Sequence, residues 1–100
     1  MRAVNAALTQ NRDAARARAE LTGLHRRFST LTPREREVLP LVASGLLNKQ
    51  AAAELGISET TLQIHRGNIT RKMGAGSFAE LVRIAGLLAI PVVHSRHSRE

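Results

Sequence analysis

Residues 59–73 hold the side chains best suited to chemistry with a partner. On a helical wheel with Leu62 at zero and about 100° per residue, Ile69 and Met73 fall beside Leu62. The opposite arc holds Thr60, Gln63, Ile64, Gly67, Asn68 and Arg71. This arc has no acid. It offers two amides, a hydroxyl, a cation and one bare apolar side chain. Those groups match base-pair edges in a DNA major groove, where an amide can bond adenine and an apolar side chain can touch a thymine methyl. Arg71 and Lys72 are placed for phosphates, and Gly67 lets a ligand approach the backbone. An ordinary solvated helix face would have no use for Ile64 at its centre.

Other chemistries find little support. The histidines are His25, His65, His94 and His97. His94 and His97 have i,i+3 spacing, but there is no cysteine and Glu100 is their only nearby acid, so they read as a basic tail and no metal is expected. His65 sits at the edge of the apolar arc and suits a phosphate or a buried hydrogen bond. Ser58 and Ser77 are better explained as helix caps than as nucleophiles, and Gly74-Ala75-Gly76 as an interhelical turn than as a phosphate loop. No enzyme activity and no cofactor are expected. Phe28 and Phe78 are the only aromatics, which disfavours single-strand or RNA binding by base stacking.

Charge points the same way. The chain of 100 residues carries a net +7. Six arginines against Asp13 and Glu20 give residues 1–30 a net +4, and residues 61–100 reach +4 with six basic side chains against Glu80 and Glu100. Between them, Arg34, Arg36 and Lys49 against four glutamates leave −1. Two basic blocks around a near-neutral centre favour a polyanion, either nucleic acid or an acidic membrane surface. The longest apolar run, Leu87 to Val93, is too short to span a bilayer and contains Pro91. No signal-peptide pattern opens the chain, because polar residues interrupt its apolar stretch, so a cytoplasmic location and no membrane partner are expected.

Short helices must position the active face. Thr32, Pro33 and Glu35 form an N-cap, a first-turn proline and a capping-box acid. The helix they start presents Val38, Leu39, Leu41 and Val42 and stops at Gly45. Pro40 inside it removes one hydrogen bond and is expected to bend it. Asn48 is expected to cap a second helix to about Leu55, with Ala51, Ala52 and Leu55 inward. Gly56 makes the turn. Ser58 caps a third helix to about Met73, and Ser77 with Glu80 forms a second capping-box pattern opening a fourth, to about Ala89. Upstream, Ala14, Ala17, Leu21, Leu24, Phe28 and Leu31 recur at spacings of three and four, a heptad seam predicting a helix over residues 3–28.

A short helix, a glycine turn and a longer helix are the helix-turn-helix signal. The stretches Leu31-Thr-Pro-Arg-Glu-Arg-Glu-Val-Leu39, Gly45-Leu-Leu-Asn-Lys49 and Ile57-Ser-Glu-Thr-Thr61, followed by His65, resemble the LuxR-type (GerE) DNA-binding output domain. His65-Arg-Gly67 and Arg71-Lys-Met-Gly-Ala75 are similar to the FixJ branch of response regulators. The resemblance covers about residues 31–89. It implies base reading by Gln63, Ile64 and Gly67, the arc the wheel selects. It implies backbone contacts by Thr61, His65, Arg71 and Lys72, with Asn48 and Lys49 at the start of the second helix; Ser58, Thr60 and Asn68 border this set. Gln63 stands where the family often has lysine, Leu47 replaces a common serine, and Pro40 is unusual.

The expected fold is all-α: a four-helix helix-turn-helix domain over residues 31–90, preceded by a linker helix over 1–30 that could form a coiled coil and followed by a flexible basic tail over 91–100. The expected function is sequence-specific binding of double-stranded DNA by a transcription regulator, with RNA polymerase as a further partner. A homodimer is expected through Leu81, Val82, Ala85 and Leu88 on the fourth helix. The chain reads as the output domain of a response regulator or a stand-alone version without a receiver, binding DNA without a phosphate donor. The alternatives are a sigma-factor region 4 and a protein-interaction module built on the Leu21/Leu24/Phe28 seam.

Overall fold

The computed structural model describes the backbone of residues 2–91 and the side chains of residues 11–91. The expected tail, Pro91 apart, and the His94/His97 pair lie outside the described residues. Five helices follow in order: α1 (Arg2–Phe28), α2 (Pro33–Ala43), α3 (Asn48–Leu55), α4 (Glu59–Lys72) and α5 (Phe78–Leu87). Among the described residues there is no strand, and no helix is long and apolar enough to cross a membrane.

The capping box is formed. Thr32 Oγ1 accepts from Glu35 N at 3.2 Å, and Glu35 Oε1 accepts from Thr32 N at 2.9 Å. α2 runs through Pro40 to Ala43, and Ser44 then donates from both its backbone N–H and its hydroxyl to the Pro40 carbonyl. The second capping pattern is only half made. Ser77 Oγ accepts from Glu80 N, but the Glu80 carboxylate turns to Arg83 at 3.0 Å. α5 also ends two residues before the expected Ala89, which takes a left-handed φ of 57°.

Val38, Leu39 and Val42 of α2, Ala51 and Ala52 of α3, Leu62 and Ile69 of α4, Met73, and Leu81 and Ile84 of α5 form one core. α1 contributes Leu24, and the connector contributes Leu31. The heptad seam is therefore divided. Its lower part, Leu24 and Phe28, docks on the domain, while Leu21 is 36% exposed and residues 11–20 are exposed throughout. The packed unit thus reaches back into α1 beyond the expected boundary at residue 31. Arg36 sits over the Phe28 ring at 5.2 Å and donates to the Ser29 carbonyl, and Glu20 meets Arg83 at 3.4 Å.

Candidate nucleic-acid interface

α4 is started by Ser58, whose Oγ accepts from Thr61 N at 3.1 Å. Glu59 lies in its first turn and Arg71 and Lys72 in its last, each sign facing the end of the helix dipole that favours it. α3 stops at Gly56 with φ 67°, the left-handed conformation in which Cβ-bearing residues are strained. Ile57 N then reaches back to Ala52 O at 3.0 Å, which closes the turn. Ala51 and Ala52 are buried, so α3 crosses α4 with no large side chain between them.

This packing turns the acid-free arc outward. Thr60, Gln63, Ile64, Gly67 and Arg71 are exposed, and Ile64 keeps 59% of its surface open. Gln63, Gly67 and Arg71 share an open groove of about 510 Å³ with Asn48, Arg66 and Thr70. A Cβ on Gly67 would meet nothing within 4 Å. The fold does not require glycine there, but its missing side chain keeps the groove open.

Several expected contact residues are already engaged. Lys72 Nζ bonds Glu35 Oε1 at 2.7 Å, and the carboxylate is buried. The Lys72 ammonium is thus held in an ion pair within the chain, while 26% of its side chain stays exposed. Burial works against the charged form of Glu35, but the Lys72 ammonium and the Thr32 bonds outweigh it and hold the carboxyl below the ordinary glutamate value. Asn68 Oδ1 accepts from Arg71 at 3.2 Å, so these two side chains form one unit at the edge of the groove. Ser58 and Thr61 bond each other. Thr60 and Lys49 are exposed and His65 is half-buried.

Asn48 is not the cap of α3. Leu47 occupies that position without a side-chain bond, and Gln50 Oε1 accepts from Leu47 N at 2.9 Å. Asn48 begins the helix proper, and its Oδ1 accepts from Arg66 Nη1 at 2.9 Å. The wheel missed Arg66, which falls near Leu62 and so reads as a flank of the buried side. It also missed Arg27 of α1, which donates to the Lys72 carbonyl at 3.4 Å and lies against Gly74 at the end of α4.

The α5 expectation needs correction. Leu81 is buried in the chain's own core at 0% exposure, so its side chain is not offered to a second copy, and Ala85 keeps 4% exposure at the floor of a shallow groove beside Val82. Leu88 packs partly against that core. Val82 remains exposed, and so does Leu87, outside the expected set.

A short helix held by a tight glycine turn against a longer helix that presents an acid-free polar face defines a helix-turn-helix domain. The chain belongs to the luxR family of bacterial regulatory proteins, whose pattern it matches over residues 29–85. It is 43% identical over 97 residues to Nodulation protein W of Bradyrhizobium diazoefficiens, covering 97% of this chain and 43% of that protein. It is 49% identical over 61 residues to Response regulator protein TodT of Pseudomonas putida, covering 61% of this chain and 27% of that one. Among solved structures it is similar to full-length FixJ from B. japonicum, with a TM-score of 0.71 and 37% identity over 86% of this chain and 42% of that one. The chain spans less than half the length of these relatives.

Proposed function

We propose that this chain binds duplex DNA sequence-specifically, as a homodimer in the cytoplasm, and regulates transcription as the output module of a response regulator. The observation that carries this reading is the outer face of α4. Gln63 and Ile64 are open to solvent, Gly67 leaves a groove between Gln63 and Arg71, and no acid lies between Thr60 and Arg71. The similarity to proteins named as response regulators supports the regulatory context. Contact with RNA polymerase belongs to the same reading. In it, exposed Val82 and Leu87 of α5 are the apolar side chains offered to a second copy. A two-fold pair would set its recognition helices about one DNA turn apart, ~34–36 Å, and would require an inverted repeat.

The test is selection of duplexes from a random pool by residues 1–100, followed by footprinting. The expected result is an enriched inverted repeat, bound with an affinity that falls steeply as salt rises. A pool that stays unenriched through repeated rounds would overturn the reading and favour a protein-interaction module.

A further inference from the structure

We infer that Arg66 is a positioning residue of the DNA-binding surface: held between Asn48 and the Phe78 ring, its guanidinium fixes the start of α3 and turns the Asn48 amide into a donor for a DNA phosphate. The inference rests on the DNA-binding reading above.

Arg66 leaves α4 between the buried and open faces. Nη1 donates to Asn48 Oδ1 at 2.9 Å, and Cζ lies 4.6 Å from the centre of the Phe78 ring. One side chain therefore ties together α3, α4 and α5. It also separates two grooves, the one of about 510 Å³ beside Gln63 and one of about 300 Å³ lined by Gly45, Leu46, Leu47 and Phe78. Asn48 borders both.

The chemistry of this bond is one-sided. A guanidinium only donates, so the amide must present its oxygen to Arg66. The Asn48 Nδ2 is then the free end of the amide. A phosphate oxygen only accepts, so it needs that donor end. Without Arg66 the amide can turn over and offer the phosphate an oxygen, which repels it. Arg66 itself is occupied by the amide on one side and the ring on the other, a cation–π contact that also orients the guanidinium plane. Its contribution therefore passes through a neutral side chain and releases no counterions of its own.

The experiment measures affinity for the selected duplex over a range of salt, with thermal unfolding of each protein alongside. The proteins are the wild type, Arg66→Ala, Asn48→Ala, the double variant, Arg66→Lys and Phe78→Leu. Each alanine variant should bind about tenfold more weakly, the effect of losing one hydrogen bond to a charged group. The double variant should also lose about tenfold and not a hundredfold, because both changes remove one contact. All should keep the wild-type salt slope. Arg66→Lys should not restore affinity, because an ammonium lacks the planar fork that spans amide and ring. Phe78→Leu should weaken binding in the same direction.

Multiplicative losses, a salt slope lower by about 0.9 in Arg66→Ala, or full affinity in Arg66→Lys would make Arg66 a direct phosphate contact and overturn the inference. If Arg66→Ala does not fold, Arg66→Lys and Phe78→Leu carry the affinity readout, and each combined with Asn48→Ala carries the additivity readout. Failure of the wild type to select any duplex would overturn the DNA reading and this inference together. Selection by the wild type with multiplicative losses would overturn this inference alone.

Discussion

The two faces of α4 are built from the same fourteen residues under opposite demands. On the inner face, packing decides each residue. Leu62 and Ile69 have no exposed surface, and Met73 just beyond the helix has almost none. On the outer face the fold decides almost nothing. Ile64 stands open, and the space over Gly67 is empty. Side chains that the fold does not use are the ones left for a ligand. The last turn shows the contrast between neighbours. Lys72 is bonded to a buried carboxylate, whereas Arg71 is exposed and bonded only to an amide.

The contrast can be broken by substitutions read in two ways, by stability and by DNA affinity. The largest stability effect is expected for Leu62→Ala, a loss of about 3 kcal/mol in chemical denaturation from lost burial and a cavity. Ile64→Ala should lose less than about 0.5 kcal/mol and yet weaken DNA binding. Equal destabilisation by the two changes would erase the distinction between the faces.

Lys72→Ala should cost about 2 kcal/mol, because it takes the charged partner from a buried carboxylate; the Thr32 N–H bond that Glu35 keeps and the partial exposure of the Lys72 side chain hold the figure below that of a fully buried pair. A pH series sharpens this. The folded pKa of Glu35 is depressed, so its stabilisation is fully present above the ordinary glutamate pKa of about 4.3 and is lost as pH falls through the lower folded value. Denaturation between pH 7 and pH 3 should show that acid loss in the wild type and a flatter profile in Lys72→Ala. Identical profiles would remove the pair from the account.

Gly67→Ala should raise stability by about 0.5–1 kcal/mol, since alanine favours a helix interior and nothing crowds its Cβ. It should also narrow the groove and weaken binding to the selected duplex, so a titration showing unchanged affinity would mean that the groove is not used. Arg71→Ala should have the smallest effect on stability, within about 0.5 kcal/mol. Its signature is a salt slope lower by about 0.9, with affinity falling on all duplexes alike. Lys72→Ala should leave that slope unchanged; a drop of the same size would place Lys72 among the phosphate contacts.

Much of this was legible in the sequence because it is local. Thr32 with Glu35, Ser58 before Glu59, the turn at Gly56 and the 3.6-residue periodicity of α4 are each contained within a few residues, and they fixed the helices and the open face. What escaped joins distant positions. Glu35 meets Lys72 across 37 residues, Arg27 meets the Lys72 carbonyl across 45, and Asn48 meets Arg66 across 18. Local capping accounts for Glu35 completely at the level of spacing, so nothing in the pattern announces its second bond. The α5 residues show another limit. A 3/4 spacing marks Leu81 and Ala85 as one face but cannot say whether that face meets the chain's own core or a second copy. The seam of α1 divides for the same reason. Its periodicity is continuous from Ala14 to Leu31, whereas the domain it packs on reaches only Leu24.

The central claim is that the outer face of α4 reads base pairs. It is tested most directly by repeating the duplex selection with Gln63→Ala and comparing the preference at every position with that of the wild type. Loss of preference at one position in each half-site is predicted, worth roughly 1–3 kcal/mol there, with the other positions and the half-site spacing unchanged. The same preference at every position, at the same affinity, would contradict the docking of α4 in the major groove.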